Sequence, residues 1–172
     1  MAPVPTIGTT AVVIELPAAE VLLEAVAGVD PSLVRTGLPA HVTVLYPFVA
    51  AADVDDETER AVRRLAGSMP AVDLLLRRLV AAPGFVAVEA AELDPVITAF
   101  RDRWPAVRPY GGRFGESPTA HVTMALGCNE AEARRVGDRV GELLPLRARA
   151  EAVHLVVLTD RGWRRRVSAP FA

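Results

Sequence analysis

The sequence has a single cysteine, no lysine and no long apolar run. The shortage of cysteine and the absence of a long apolar run each exclude a class of protein. With Cys128 as its one cysteine, the chain can form neither an intramolecular disulfide nor a thiolate metal cluster. Because a free cysteine is usually buried, we expect Cys128 to be a small residue of the core. No apolar stretch reaches the roughly 20 residues that a membrane-spanning helix needs. The first residues lack the basic and apolar segments of a secretory signal. We therefore expect a cytoplasmic protein with no membrane span.

An excess of positive charge is also missing. The chain has 19 basic side chains, all arginine, against 21 acidic ones, and its formal net charge is −2. A protein that coats long nucleic acid needs a broad basic surface, which this balance does not supply. Recognition of one phosphate group at a strand end needs only a few donors and remains open. The 172 residues, 51% of them hydrophobic, fit one compact domain over residues 1–172, which we expect to be monomeric.

Apolar periodicity and turn residues predict an α+β protein. Asn129 and Glu132 have the spacing of a capping box, and Asp94-Pro95 resembles the start of another helix. The predicted helices cover residues 20–27, 53–69, 94–104 and 129–144. The predicted strands cover residues 10–16, 41–48, 72–79, 85–90, 121–126, 153–159 and 163–169.

The tetrapeptide Ala-His-Val-Thr occurs twice, at 40–43 and at 120–123. Each copy starts a predicted strand that lies between two predicted helices. This matched order indicates an internal repeat around 19–90 and 94–169. We therefore predict two pseudo-symmetric lobes within one domain, each with an antiparallel sheet flanked by helices.

The repeated motif places chemistry-bearing side chains on one face of a strand. Residues i and i+2 of a strand share a face, so His41 lies beside Thr43, and His121 lies beside Thr123. If both strands border a common cleft, two imidazoles and two hydroxyls meet one phosphate group. A neutral imidazole can take a proton from the attacking oxygen while a protonated one donates to the leaving oxygen. This scheme requires no metal and no other cofactor.

The motifs His41-Val42-Thr43-Val44 and His121-Val122-Thr123-Met124 resemble those of the two-histidine (2H) phosphoesterase superfamily. The flanking segments 38–48 and 110–115 look like its bacterial branch of 2′-5′ RNA ligase-like proteins and RNA 2′,3′-cyclic phosphodiesterases. The resemblance covers nearly the whole chain and implies that family's bilobal fold. It implies that His41 and His121 are the catalytic pair and that Thr43 and Thr123 bind phosphate.

The predicted function is therefore that of a metal-independent phosphodiesterase for 2′,3′-cyclic phosphate or 2′-5′ linkages. The expected substrate is an RNA end or a small cyclic or 2′-5′ nucleotide. Two alternatives remain open: a cyclic phosphodiesterase for a small metabolite such as ADP-ribose cyclic phosphate, and a non-catalytic RNA- or nucleotide-binding module. The near-symmetry of the motifs leaves open which histidine is the base and which is the acid.

Four further residues are candidates for substrate contact. Tyr46 and Phe48 follow the first motif, and we expect them on the face of His41, where they either stack on a base or line the core. Tyr110 and Arg113 lie in the glycine-rich segment 110–115, with Arg113 as a candidate phosphate or ribose contact. The remaining prominent side chains have structural interpretations: a structural or surface histidine, core tryptophans, and two arginines on a solvated strand face, namely His154, Trp104, Trp163, Arg164 and Arg166.

Overall fold

The computed structural model describes residues 4–113, 115 and 118–172. The helices are α1 (Glu20–Val29), α2 (Asp56–Gly67), α3 (Asp94–Arg103) and α4 (Glu130–Gly141). The strands are β1 (Thr10–Glu15), β2 (His41–Leu45), β3 (Val72–Leu76), β4 (Leu79–Ala82), β5 (Phe85–Glu89), β6 (His121–Leu126), β7 (Leu146–Ala150), β8 (Ala152–Thr159) and β9 (Gly162–Pro170). The expected α+β fold is confirmed.

Seven strands form one antiparallel sheet in the order β4-β5-β6-β2-β1-β8-β9. The strands β4, β5 and β6 belong to one lobe, and β2, β1, β8 and β9 belong to the other. The two lobes meet edge to edge along β2 and β6, where Val42 and Val122 form the paired position. Each lobe takes strands from both halves of the predicted repeat, because β5 pairs with β6 and β1 pairs with β2 and β8. The strands β3 and β7 form a separate two-stranded antiparallel sheet.

All four helices pack on one face of the large sheet. The core beneath them includes Leu22 of α1, Val62 of α2, Phe100 of α3 and Val136 of α4, each fully buried. The opposite face has a much smaller apolar cluster of Ala11, Val13 and Val156, with Leu38, Tyr46 and Trp163 packed against it. Because only one face is covered by helices, the other is available for a binding site.

The two long amphipathic helices begin with side-chain caps. The Asp55 carboxylate accepts a hydrogen bond from the backbone N–H of Thr58 at 2.8 Å, and α2 follows. Asn129 and Glu132 form the predicted capping box at the start of α4. These bonds satisfy N–H groups that a helix leaves without internal partners.

Several predicted boundaries are wrong. The predicted strand 72–79 is two strands in different sheets, β3 and β4, separated by Arg77 and Arg78. The strand β7 was not predicted, because its sequence Leu-Arg-Ala-Arg-Ala has low strand propensity. Asp94 is not a helix cap: α3 starts with it, and its carboxylate instead accepts from the N–H of Ala120 at 2.7 Å.

Cys128 is buried, as expected, with its thiol 3.9 Å from the carbonyl oxygen of Ala82. Within the part of the chain that the structure describes, no helix has the length and apolar character needed to cross a bilayer.

Candidate active site

The four motif side chains lie together on the sheet face opposite the helices. The central valines of the two motifs pair across β2 and β6 and point into the helix-covered core, where both are buried. Their neighbours on each strand therefore face the other way. His41 lies opposite Thr123, and Thr43 lies opposite His121. The histidines are diagonal neighbours, a relation that separates Cα atoms by about 7–8 Å.

Both imidazoles are held in the same way by their own strand. Nδ1 of His41 lies 2.7 Å from the carbonyl oxygen of Pro39, and Nδ1 of His121 lies 2.8 Å from that of Thr119. A carbonyl oxygen only accepts hydrogen bonds, so each Nδ1 carries the proton. Neither Nε2 has a hydrogen-bond partner among the described residues. In the neutral form each Nε2 therefore presents a lone pair to a ligand.

A second matched set of contacts fixes the residue before each histidine. The N–H of Ala40 donates to the Glu20 carboxylate, and the N–H of Ala120 donates to the Asp94 carboxylate. The carbonyl oxygens of the same two alanines accept from Leu16 and Ala90, at 2.8 and 2.7 Å. The backbone that presents each histidine is thus held on both sides by equivalent partners.

A glutamate lies beside each histidine on the neighbouring strand, and sequence reasoning missed both. Glu15 of β1 pairs in register with His41, and Glu89 of β5 pairs with His121. Arg165 donates two hydrogen bonds to Glu15, and Arg78 forms an ion pair with Glu89 at 3.4 Å. A signal was present in the sequence, since each glutamate is the single charged residue of its apolar strand.

Burial lowers the pKa of His41 below the usual value of 6.5. The hydrogen bond to Pro39 and the negative charges of Glu15 and Glu20 act in the opposite direction, and desolvation outweighs them. His41 is therefore held toward its neutral form, in which Nε2 is a proton acceptor.

Tyr46 and Tyr110 both lie next to the motif side chains. Their ring centroids are 5.6 Å apart, and the N–H of Tyr110 donates to the carbonyl oxygen of Tyr46 at 2.7 Å. Tyr110 also hydrogen-bonds the Thr43 side chain, while burial raises the pKa of its hydroxyl. Its φ of 50° is a left-handed conformation that costs a non-glycine residue roughly 1–2 kcal/mol. The surrounding contacts hold Tyr110 in this conformation.

One of the expected contact residues lies elsewhere. Phe48 is buried in the core, with its ring edge-on to Trp104 at 5.2 Å, so a stacking role on a base is wrong for it. Tyr46 does lie on the sheet face that carries the motif side chains, the motif face, as expected. Simple alternation does not put it there: a register shift in the β1–β2 pair, between Val12 and Val13, changes the alternation before Tyr46.

The glycine-rich segment is only partly described. Arg113 is exposed at the end of the turn Pro109–Gly112 and lines neither of the cavities near the motifs. Phe114, part of the segment that carries the family resemblance, lies outside the described residues.

The expectation that Arg166 lies on a solvated strand face is wrong, because its guanidinium is bound by other parts of the chain. Arg165 lies opposite Val156 on the motif face, whereas Arg166 pairs with Glu59 and donates to the carbonyl oxygens of Ala51 and Val54. A register shift in the β8–β9 pair changes the simple alternation of side chains.

His154 is buried and has a structural partner. Its Nδ1 lies 3.0 Å from the Ser168 hydroxyl, and burial lowers its pKa. Among the residues that the structure describes, no group of three or more histidine, cysteine or acidic side chains is arranged to hold a metal ion.

A gap of about 10 Å³ lies between β2 and β6, where the strands separate beyond their paired valines. Its lining includes Thr43, His121, Tyr110 and Arg101. Nε of Arg101 is buried there with no hydrogen-bond partner among the described residues. A gap of this size is close to the minimum that holds one water molecule.

The fold resembles three solved structures over nearly its full length. LigT of E. coli is 16% identical with a TM-score of 0.59, covering 98% of this chain and 99% of LigT. TT0787 of Thermus thermophilus is 15% identical with a TM-score of 0.56, covering 94% and 97% of the two chains. Usb1 of Kluyveromyces marxianus is 15% identical with a TM-score of 0.53, covering 96% and 99%. LigT has also been solved in complex with 3′-AMP and with NADP+.

No curated protein matches the sequence significantly. The family model of the 2'-5' RNA ligase superfamily matches residues 17–162, a span that contains both motifs and all four helices. With the matched histidine geometry and the shared fold, this places the chain in the 2'-5' RNA ligase (2H phosphoesterase) superfamily, a group of phosphoesterases and ligases.

Proposed function

We propose that this protein is a metal-independent phosphodiesterase that acts on 2′,3′-cyclic phosphate or 2′-5′ linkages of RNA ends or small nucleotides. One observation carries the proposal: two histidines with Nδ1 bound to the backbone, and with no described residue on Nε2, lie diagonally on one sheet face, each opposite a threonine. Superfamily membership supports a phosphoester substrate, and the nucleotides bound by LigT support a nucleotide ligand.

The two imidazoles supply both proton transfers of an in-line displacement. For a 2′,3′-cyclic phosphate, the oxygen of a water molecule attacks phosphorus while one neutral imidazole accepts the water proton. The bond from phosphorus to one ribose oxygen breaks, and the other imidazole, protonated, donates its proton to that oxygen. The product is a phosphomonoester, and the histidines regain their starting protonation states through solvent.

The threonines lie where charge develops on the phosphate. Thr43 and Thr123 are half-buried on the same face as the histidines, and each lies across from one imidazole in the register that Val42 and Val122 set. Their hydroxyls donate to non-bridging phosphate oxygens, which gain negative charge as water attacks. Because both proton transfers and this stabilisation come from side chains, the scheme needs no metal.

The test is hydrolysis of an oligonucleotide that ends in a 2′,3′-cyclic phosphate, measured in EDTA. Wild-type protein turns the substrate over, and His41→Ala and His121→Ala each lower the rate by about 10²- to 10⁴-fold, the usual contribution of a general acid or base. His154→Gln is the matched control, because it removes the third histidine, which is buried against Ser168 outside the motifs.

Each outcome discriminates between the possible functions. Turnover that chelation abolishes contradicts the metal-independent scheme. Wild-type protein that binds the oligonucleotide without product indicates the nucleotide-binding module instead. Turnover of ADP-ribose cyclic phosphate with no turnover of RNA ends assigns the site to a small metabolite.

A further inference from the structure

The motif face is symmetric in its histidines and threonines but not in what surrounds them. On the β1 side of His41 lies a cavity of about 110 Å³, open to solvent. This is about ten times the volume of the gap between β2 and β6, which has room for one water. The large cavity borders His41 and Thr43, so a ligand held in it is continuous with a phosphate at the motifs.

The walls of this cavity are apolar and aromatic. Ala11 and Val13 form part of its lining and are buried in the small apolar cluster of this face. Leu38, Tyr46 and Trp163 pack against that cluster, are half-buried and also line the cavity. Flat apolar walls with an indole ring suit a planar aromatic group, because such a group gains most from stacking and from leaving water.

Of the described residues that line the cavity, one is an arginine, and it stands at the rim. Arg35 is exposed and has no ion-pair or hydrogen-bond partner in the described part of the chain. Its charge lies close enough to lower the pKa of His41. A guanidinium in this position is available to a second phosphate or to a carbonyl oxygen of a base.

The other lobe does not reproduce this cavity within the described residues. Its sheet ends at β4, whereas the first lobe continues past β8 to β9, which carries Trp163. The space beside His121 is instead filled by Phe85, whose ring lies edge-on to the imidazole at 5.5 Å. The additional strand and the segment that carries Arg35 and Leu38 therefore distinguish the two sides of the phosphate site.

We propose that the cavity beside His41 binds the aromatic base of the substrate nucleotide, with Trp163 as its principal contact, so that the enzyme selects nucleotides over base-free cyclic phosphates. This inference rests on the proposed function, because it places the phosphate at His41 and His121. It assigns the nucleoside to the β1 side of the site and leaves the β5 side to the solvent or to the rest of the chain.

The kinetic test compares two substrates that share the reacting group. Adenosine 2′,3′-cyclic phosphate carries a base, and glycerol 1,2-cyclic phosphate has the same five-membered ring without one. Trp163→Leu lowers kcat/KM for the nucleotide by about 10- to 100-fold, the range for loss of one base-stacking contact, chiefly through KM. The same variant leaves kcat/KM for the glycerol ester unchanged. Equal losses on both substrates overturn the inference and indicate a structural role for Trp163.

A binding test is independent of turnover. Trp104→Phe leaves Trp163 as the only tryptophan, and Trp104 lies away from the cavity, against Phe48 and Phe100. In this variant 3′-AMP quenches the emission of Trp163, whereas ribose 5-phosphate and inorganic phosphate do not. Quenching by all three ligands alike, or by none, overturns the inference. If wild-type protein hydrolyses neither cyclic ester, the proposed function fails, and this titration alone decides the base site.

Arg35→Gln is a second test variant, and it changes an exposed residue outside the core. The substrate is adenosine 2′,3′-cyclic phosphate that also carries a 5′ phosphate. The KM of the Arg35→Gln variant for this substrate is about 10-fold higher than that of the wild type, as expected for one lost charge-assisted hydrogen bond. The KM for the glycerol ester does not change. A rise in KM for both substrates contradicts the placement of the nucleotide beside Arg35.

Discussion

The two lobes agree in how they hold their histidines and differ in what surrounds them. Each lobe presents its histidine through the same contacts: a carbonyl at Nδ1, a carboxylate at the preceding N–H, and a glutamate on the next strand. Beyond these contacts the first lobe adds β9 and an apolar cavity, and the second ends at β4. The symmetric part suits proton transfer at a phosphate, and the asymmetric part suits selection of a substrate.

Apart from the histidines, the two threonine hydroxyls should have the largest effect on kcat/KM. Replacing each in turn tests whether the two motifs contribute equally. Thr43→Val and Thr123→Val each lower kcat/KM by about 10- to 100-fold, because a hydrogen bond to a charged group contributes roughly 1.5–3 kcal/mol. Thr→Ser at either position retains the hydroxyl and most of the activity. Steady-state kinetics on a 2′,3′-cyclic nucleotide measures all four variants. A full loss at one threonine and none at the other shows that the two sides are not equivalent toward phosphate.

Replacing the glutamate beside each histidine should destabilise the protein by different amounts in the two lobes. The Glu15 side chain is 8% exposed and accepts two hydrogen bonds from Arg165, whereas the Glu89 side chain is 22% exposed and its partner Arg78 is 76% exposed. Glu15→Gln lowers the free energy of unfolding by about 1–3 kcal/mol, as for a buried hydrogen-bonded charge. Glu89→Gln lowers it by less than about 1 kcal/mol. Urea denaturation measures both, and equal losses contradict the difference in burial.

The helix caps should act alike in the two lobes. Asp55→Ala removes the cap of α2, and Asn129→Ala removes that of α4, so each lowers the free energy of unfolding by about 1 kcal/mol. Asn129→Asp keeps a side-chain acceptor and retains stability. Thermal unfolding of the three variants tests the expectation. A neutral effect of Asn129→Ala would show that the capping box does not contribute to the fold.

A smaller effect concerns pH. Because burial lowers the pKa of His41 in the folded protein, the unfolded chain binds a proton first as the pH falls below about 6.5. Stability therefore declines from about pH 6.5 down to the folded-state pKa and levels off below it. His154, also buried, contributes in the same direction. His41→Gln weakens this decline in urea titrations between about pH 5 and 8. An unchanged slope indicates that another group is responsible.

The repeated motif made the arrangement of the two histidines and two threonines predictable from the sequence. Strand alternation placed His41 with Thr43 and His121 with Thr123, and the duplication indicated that both strands share a face. The capping box of α4 was equally readable, because it depends on residues three positions apart. These features are local, so their spacing along the chain determines their spacing in the fold.

The base side was not predictable, because it depends on distant parts of the chain. Trp163 lines the cavity because the strand order β2-β1-β8-β9 brings β9 to this side of the sheet. The sequence pattern around it predicted a core residue. Arg165 faces Glu15 because of a register shift that alternation cannot anticipate. Tyr46 reaches the motif face through a register shift in the β1–β2 pair, which a count of alternating residues does not reveal. Long-range pairing and strand irregularity set these positions.

The most direct test of the account is the single-turnover rate on glycerol 1,2-cyclic phosphate, a substrate that needs only the symmetric part of the site. His41→Gln and His121→Gln should each lower this rate by about 10²- to 10⁴-fold, because each imidazole carries one of the two proton transfers. The double variant should be little slower than either single one, since the pair acts as a unit. If either single variant retains the wild-type rate, the two-histidine mechanism is contradicted.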